Sequence, residues 1–404
     1  MTNTAILAAS ALLLFAYLID IVGRRWKLPS VVLLIGTGIA LRQVLDSTHL
    51  HLGWVDPIVP VIGTLGLILI VLEGALDLTV SRERLGLIAT SATSTLLGFA
   101  ATLVAFVALF HFALEFDLPI ATLAAIPFAV ISSAVAIPAA HGLAHQPREF
   151  VIYESSLSDI IGVLVFYAWQ SADGSLNSFT FDLLGGGALS LFAAVAAALA
   201  LYYFINHLDG HVRFLPLIAG LIFLYAIGKE LHLSPLILVL GCGLLINNPH
   251  LIGWNAQLRS MHSDDYQQTL KEFKGLVAEL TFATKSFFFL LLGFWTNIQQ
   301  MFSQEAWLVA GAGIVIIYGS RWAILTFLRQ DEAAKLLWIA PRGLITVLLF
   351  LSAAETGKLQ GFPFGAVMLI VLATATATAL AHRQTASPVE PAAALDTSAS
   401  PPPP

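Results

Sequence analysis

Long apolar runs alternate with short polar stretches along almost the whole chain. Thirteen of these runs have roughly membrane-spanning length: 4–22, 29–45, 57–78, 85–112, 119–143, 149–171, 181–206, 213–230, 233–247, 274–297, 304–328, 333–353 and 362–382. A helix of about 20 apolar residues crosses a hydrocarbon core about 30 Å thick. The pattern predicts an all-α polytopic membrane protein with about 13 transmembrane helices, the ninth being the shortest. Residues 248–273 are polar enough for a surface linker or an amphipathic helix lying on the membrane. Residues 383–404 are rich in Pro, Ala and Ser and read as a disordered cytoplasmic tail behind a single membrane domain at 1–382.

Two of the runs are interrupted at mid-membrane depth. The fifth holds Pro127 and the stretch Ile131-Ser132-Ser133-Ala134-Val135-Ala136-Ile137-Pro138; the twelfth holds Ile339-Ala340-Pro341-Arg342-Gly343. Proline, glycine and polar residues at that depth mark discontinuous helices whose half-helix ends line a cavity. The two runs lie seven apart in order, an odd offset, so they cross the membrane in opposite senses. That is the relation expected of two inverted six-helix repeats, runs 1–6 and 8–13, with run 7 between them.

Composition agrees with the pattern. Of the 404 residues, 58% are hydrophobic and 11% charged, and the mean hydropathy is +0.85; soluble domains carry about 25% charged residues. The net charge of −6 is small and says nothing about nucleic acid, and no nucleic-acid partner is expected. One cysteine, Cys242, permits neither an internal disulfide nor a cysteine metal cluster. With the N-terminus placed outside, thirteen Lys and Arg residues fall in cytoplasmic loops and three in outer loops, which sets the orientation and puts the C-terminus in the cytoplasm. The first run has no basic leader before it and reads as a retained helix. No nucleotide-binding module is expected after the last run.

Six ionisable residues away from the loops matter most: the acids Glu73, Glu154 and Asp159 and the bases Lys285, Arg321 and Arg342. Asp159 lies eleven residues past the loop residue Arg148, or about 16 Å along a helix. A carboxylate at that depth is costly and reads as part of an ion or proton path. Ser155 precedes it by one turn on the same face, and Ser158 is adjacent. Hydroxyl and carboxylate oxygens suit a hard cation, so Asp159 and Ser155 are candidate ligands for Na⁺ or K⁺. Ser132 and Ser133 would partner backbone groups freed by the break or offer oxygen to an ion. Serines also serve simply to pack helices, and Glu73 and Arg321 would snorkel if they lie near helix ends. Lys285 stands eleven residues past Lys274, deep enough to reach the level of Asp159. No Ser-His-Asp triad, metal-ligand cluster or phosphate loop is present. The chain is therefore expected to be neither an enzyme nor a holder of a resident cofactor.

Together these segments resemble the monovalent cation–proton antiporter superfamily, and most closely its electroneutral NhaP-like branch. The resemblance rests on Leu72-Glu73-Gly74-Ala75-Leu76-Asp77-Leu78, on Ser132-Ser133-Ala134-Val135-Ala136, and on Glu154-Ser155-Ser156-Leu157-Ser158-Asp159. Phe287-Phe288-Phe289-Leu290-Leu291-Leu292-Gly293 and Pro341-Arg342-Gly343 complete it. It implies a sodium/proton antiporter working by alternating access, with Asp159 binding cation and proton in turn. Ser155, Ser158, Ser132, Ser133 and Glu73 would stand around the ion. Glu154 would pair with Arg342, and Lys285 and Arg321 would be counter-ions. It further implies a homodimer in lipid, with a core bundle moving against a dimerisation bundle; short loops and the absence of a targeting signal point to a cell inner membrane. Two departures stand out: Ser133 replaces the usual acid in the broken helix, and Ser158 replaces the usual Asn before Asp159. A lysine at 285 resembles the electrogenic branch instead. A K⁺/H⁺ efflux exchanger is the alternative within the family, and a passive channel or sensor on the same fold is the alternative outside it.

Overall fold

The computed structural model describes residues 2–26, 30–47, 59–172, 175–181, 185, 187–207, 214–231, 233, 235–251, 264–296, 298–328, 332–355 and 357–385. Every regular element among them is helical. The elements are α1 (Thr2–Trp26), α2 (Ser30–Ser47), α3 (Val59–Asp77), α4 (Leu85–Ala113), α5 (Leu118–Ala129), α6 (Ser133–Ala139) and α7 (His145–Ser171). They continue as α8 (Leu176–Phe181), α9 (Gly187–His207), α10 (Phe214–Glu230), α11 (Pro235–Asn247) and α12 (Asp264–Trp295). The last five are α13 (Ile298–Met301), α14 (Gln304–Phe327), α15 (Ala333–Leu337), α16 (Leu344–Glu355) and α17 (Phe364–Thr385). Helices prevail because in lipid each backbone N–H and C=O must find its partner within the segment.

Each of the thirteen apolar runs carries helix. Six of the described spans are long and apolar enough to cross a membrane unaided: 82–113, 118–139, 145–171, 266–294, 304–327 and 364–381. The ninth run, α11, has 13 residues and is about 20 Å long. Its C-terminal end is fixed by side chains: Asn247 and Asn248 donate to the Leu78 carbonyl at 2.9 and 2.7 Å. One expectation needs correction. The polar stretch at 248–273 is not all linker, because α12 begins at Asp264 and is 32 residues long. Residues 252–263 and the tail beyond Thr385 lie outside the described residues.

Both interrupted runs are broken where expected. The first separates α5 from α6, with Val130 and Ser132 extended between them. Pro127 removes a helical donor, and the β-branched pair Val130-Ile131 favours extended backbone. The second lies between Leu337 and Leu344. There Pro341 disfavours helical geometry at Ala340. The two unwound stretches cross, and Ser132 N–H donates to the Pro341 carbonyl at 2.9 Å.

The helices pack as two groups. In the first, α4, α5, α6, α7, α14, α16 and α17 surround the crossing; in the second, α3 packs on α11 and α12, α12 on α2, and α11 on α9 and α10. Helix α7 touches α3 and α11 as well as the crossing, so it lies at the boundary between the groups.

The approach of α7 to the first break is tight. A Cβ built on Gly162 would lie 2.2 Å from Val130 Cγ2. Gly162→Ala is therefore expected to lower the melting temperature in detergent, with overpacking costing about 1–3 kcal/mol. A melting temperature equal to wild type would mean that α7 and Val130 do not approach this closely.

Candidate functional site

Helix α7 carries the site on two of its faces. Glu154 and Ser158 stand one turn apart on one face, and Ser155 and Asp159 one turn apart on the next. All four are buried, with relative exposures of 1–6%.

The Asp159 face meets the first break. Oδ2 accepts the Ser133 backbone N–H at 3.2 Å. That N–H belongs to the first turn of α6, where no intrahelical acceptor exists. Oδ1 is buried and has no hydrogen-bond partner. Ser155 donates its hydroxyl to the Val151 carbonyl at 2.7 Å, which leaves its lone pairs free. A carboxylate with one oxygen held by the backbone and one free can take a proton or join a cation's coordination shell.

The Ser158 face serves the backbone. Ser158 Oγ accepts the Ile131 N–H at 2.9 Å, supplying an acceptor that the broken helix lost. Ser158 is thus turned from Asp159 toward a cavity of about 20 Å³, which it lines with Ser94, Glu154, Ser320, Arg321 and Arg342. That volume holds one water molecule.

The partner of Glu154 is Arg321, which corrects the pairing with Arg342 implied by resemblance. Arg321 NH1 and NH2 donate to Glu154 Oε1 and Oε2 at 3.1 and 2.9 Å. Ser94 adds a hydrogen bond to Oε1 at 2.6 Å, and Arg321 Nε donates to the Leu336 carbonyl at 2.8 Å. Arg321 is 6% exposed and does not snorkel. The planar fork of guanidinium matches the carboxylate bidentately. This pair ties α7 to α4, to α14 and to the end of α15.

Arg342 is occupied by carbonyls. Its Nε donates to Phe128 O at 2.7 Å and its NH1 to Ala340 O at 3.0 Å. Phe128 sits in the last turn of α5, where carbonyls lack helical donors and a positive charge is favourable. The arginine therefore caps the end of one broken helix from the unwound stretch of the other, while Glu154 is held by Arg321. Its own N–H donates to Thr374 Oγ1 at 3.0 Å.

Glu73 and Lys285 form a second pair. Lys285 Nζ lies 2.8 Å from Glu73 Oε2, joining α12 to α3, with both side chains half-buried. Lys285 is also within electrostatic reach of Asp159. Ser132 lies at the crossing itself, and a Cβ on Gly343 would come 2.5 Å from its hydroxyl oxygen.

Sequence reading passed over Ser94, Thr95, Thr374 and Thr378. Thr95 donates to the Glu154 carbonyl at 3.1 Å, and Thr378 to the Trp338 carbonyl at 2.8 Å in the second unwound stretch. The available signal was hydroxyl spacing in apolar helices, Ser91-Ala92-Thr93-Ser94-Thr95 and Thr374-Ala375-Thr376-Ala377-Thr378. Among the described residues no cluster of His, Cys, Asp and Glu would hold a metal ion by itself.

A crossed pair of broken helices with a half-partnered carboxylate beside it is a transporter geometry. The model of the family described as "Sodium/hydrogen exchanger, transmembrane" matches residues 10–388. The chain belongs to this family. Sodium/hydrogen exchangers are multi-pass membrane transporters and not enzymes. Among solved structures, the chain is similar to the sodium proton antiporter MjNhaP1 from Methanocaldococcus jannaschii at pH 8. The TM-score is 0.71 and the identity 18%, over 95% of this chain and 96% of that one. An electron-microscopy structure of the same antiporter gives a TM-score of 0.68 and 19% identity, over 96% and 94%. At this identity the likeness shows the fold. No curated protein matches the sequence.

The two arginines of this exchanger are separable by a double-mutant cycle. Glu154→Ala or Arg321→Ala strands a buried charge, and each is expected to cost about 3–5 kcal/mol of stability in detergent. The Glu154→Ala/Arg321→Ala pair should lose roughly 1–3 kcal/mol less than the sum. The Glu154→Ala/Arg342→Ala pair should be closer to additive. The reverse ranking would restore the Glu154–Arg342 pairing.

Proposed function

We propose that this exchanger swaps one Na⁺ for one H⁺ by alternating access, with Asp159 holding proton and cation in turn. The observation that carries this reading is the half-partnered state of Asp159. One oxygen is held in place by the backbone of the first break, and the other is buried without a donor. Protonation would satisfy that oxygen, and so would a cation. Competition for one carboxylate couples the two fluxes without further machinery.

The same site argues for electroneutral exchange. If one carboxylate carries either ion, the same charge moves both ways and the membrane potential does no net work. Lys285 is engaged by Glu73 at 2.8 Å, which supports a fixed counter-ion rather than a second proton carrier. The remaining features follow the family resemblance. The group around the crossing would be the mobile core, and the group built on α2, α3, α9, α10, α11 and α12 would include the homodimer face. The N-terminus would lie outside an inner membrane and the C-terminus in the cytoplasm. The exchanger would need lipid and a second copy but no cofactor.

Two measurements on reconstituted vesicles test this. Asp159→Asn keeps the shape but cannot exchange a proton, so Na⁺-dependent proton flux should fall to background while the protein remains folded. Flux at the wild-type rate would refute the assignment. The exchange equilibrium should also be the same at zero and at −100 mV. One net charge per cycle would shift it by ~2.3 kcal/mol, about 50-fold. A shift of that size that disappears in Lys285→Gln would make Lys285 a proton carrier.

A further inference from the structure

Four buried side-chain polar atoms among the described residues lack a hydrogen-bond partner, and two of them, Ser156 Oγ and Asp159 Oδ1, lie three residues apart on α7. Ser156 is 2% exposed, so water at the surface does not serve it. A buried hydroxyl without a partner carries the desolvation cost of the group.

Its neighbours make the exception clear. Hydroxyls in these helices commonly donate to the carbonyl four residues back, as Thr95, Thr122, Ser155, Thr281, Thr374 and Thr378 do at 2.7–2.9 Å. Ser156 does not make that bond. Its hydroxyl is not engaged by its own backbone.

Known contacts of α7 fix the direction in which it faces. With about 100° per residue, Ser158 and Gly162 point at the first break, meeting Ile131 and Val130. Asp159 follows in rotation and meets Ser133. On the far side, Tyr153 donates to the Thr79 carbonyl just past the end of α3. Ser156 falls between Asp159 and Tyr153, about 60° from each. It therefore faces the boundary between the two helix groups, one rung from Asp159.

The charge balance gives the hydroxyl a task. Glu73, the other acid assigned to the ion, is held by Lys285. Ser158 is spent on Ile131. A cation at Asp159 then has one carboxylate to neutralise it, and its remaining shell needs neutral oxygens.

We propose that Ser156 supplies one of those oxygens and is a ligand of the transported cation beside Asp159 and Ser155. This rests on the antiport reading. The hydroxyl is kept free of its helix so that it can accept the ion as water is stripped away. Position 156 thus restores to the site an oxygen that the serine at 158 does not provide.

The test is the Na⁺ dependence of initial exchange rates in full-length protein reconstituted in vesicles. Ser156→Ala should raise the apparent KM for Na⁺ about five- to tenfold, as expected for one lost neutral ligand. Vmax should stay within about twofold and the melting temperature should not fall, since the hydroxyl has no partner in the protein. Ser156→Thr keeps the oxygen and should hold KM within about twofold of wild type. If Ser156→Ala does not insert, Ser156→Cys, close in volume and without the oxygen, should show the same rise. An unchanged KM in a folded Ala or Cys variant would overturn the proposal and leave the antiport reading intact. So would a lowered melting temperature not rescued by Thr, which would make Ser156 a packing residue. Wild-type protein without Na⁺-dependent proton flux would overturn both.

Discussion

Three consecutive backbone N–H groups, on Ile131, Ser132 and Ser133, lose their helical acceptors at the first break, and the organisation of the core follows from where they go. In a low-dielectric interior an unpaired backbone group costs several kcal/mol. Each of the three finds a different acceptor: Ser158 Oγ, the Pro341 carbonyl and the Asp159 carboxylate. The first joins the break to α7, the second to the other broken helix, and the third to the ion site. A broken helix is tolerated because its neighbours supply these partners. The carboxylate is positioned by the same bond that satisfies the break, so the half-helix cannot shift without disturbing Asp159.

The buried charges are divided on the same logic. Glu154 and Arg321 neutralise each other bidentately, and Ser94 takes a further share of the acid. Glu73 and Lys285 do so across α3 and α12. Arg342 donates to the Phe128 carbonyl at a helix end and to the Ala340 carbonyl in its own unwound stretch. Asp159 has no base bonded to it, and one of its oxygens is buried without a hydrogen-bond partner. A cargo ion competes poorly for a carboxylate already paired at hydrogen-bonding distance. The two ion pairs therefore leave one acid for transport.

Much of this was legible in the sequence, for physical reasons. The apolar runs gave the helices, because lipid demands about 20 such residues per crossing. Pro127, Pro341 and Gly343 gave both breaks, because their backbone constraints are local. Asp159 was legible because a carboxylate at that depth is rare. The pairing of Glu154 was not. Arg321 lies on α14 and Arg342 in the second unwound stretch, and which one reaches Glu154 depends on rotation and on the demand of the Phe128 carbonyl, neither of which is local. Ser156 was equally hidden. A serine in an apolar helix normally bonds to its own backbone, and only the geometry shows that this one does not. The start of α12 at Asp264 was misplaced because polar residues on the outer face of its first turns read as linker, although Tyr266, Leu270 and Phe273 are buried on the other face.

The central claim is that one carboxylate binds proton and cation in competition. It is tested most directly by counting protons released when Na⁺ is added to purified, weakly buffered protein at a pH where Asp159 is protonated. Binding at a ligand that must first deprotonate releases its proton. The account predicts saturable release approaching one proton per chain, with no release from Asp159→Asn. Na⁺ binding without proton release, or equal release from Asp159→Asn, would contradict it.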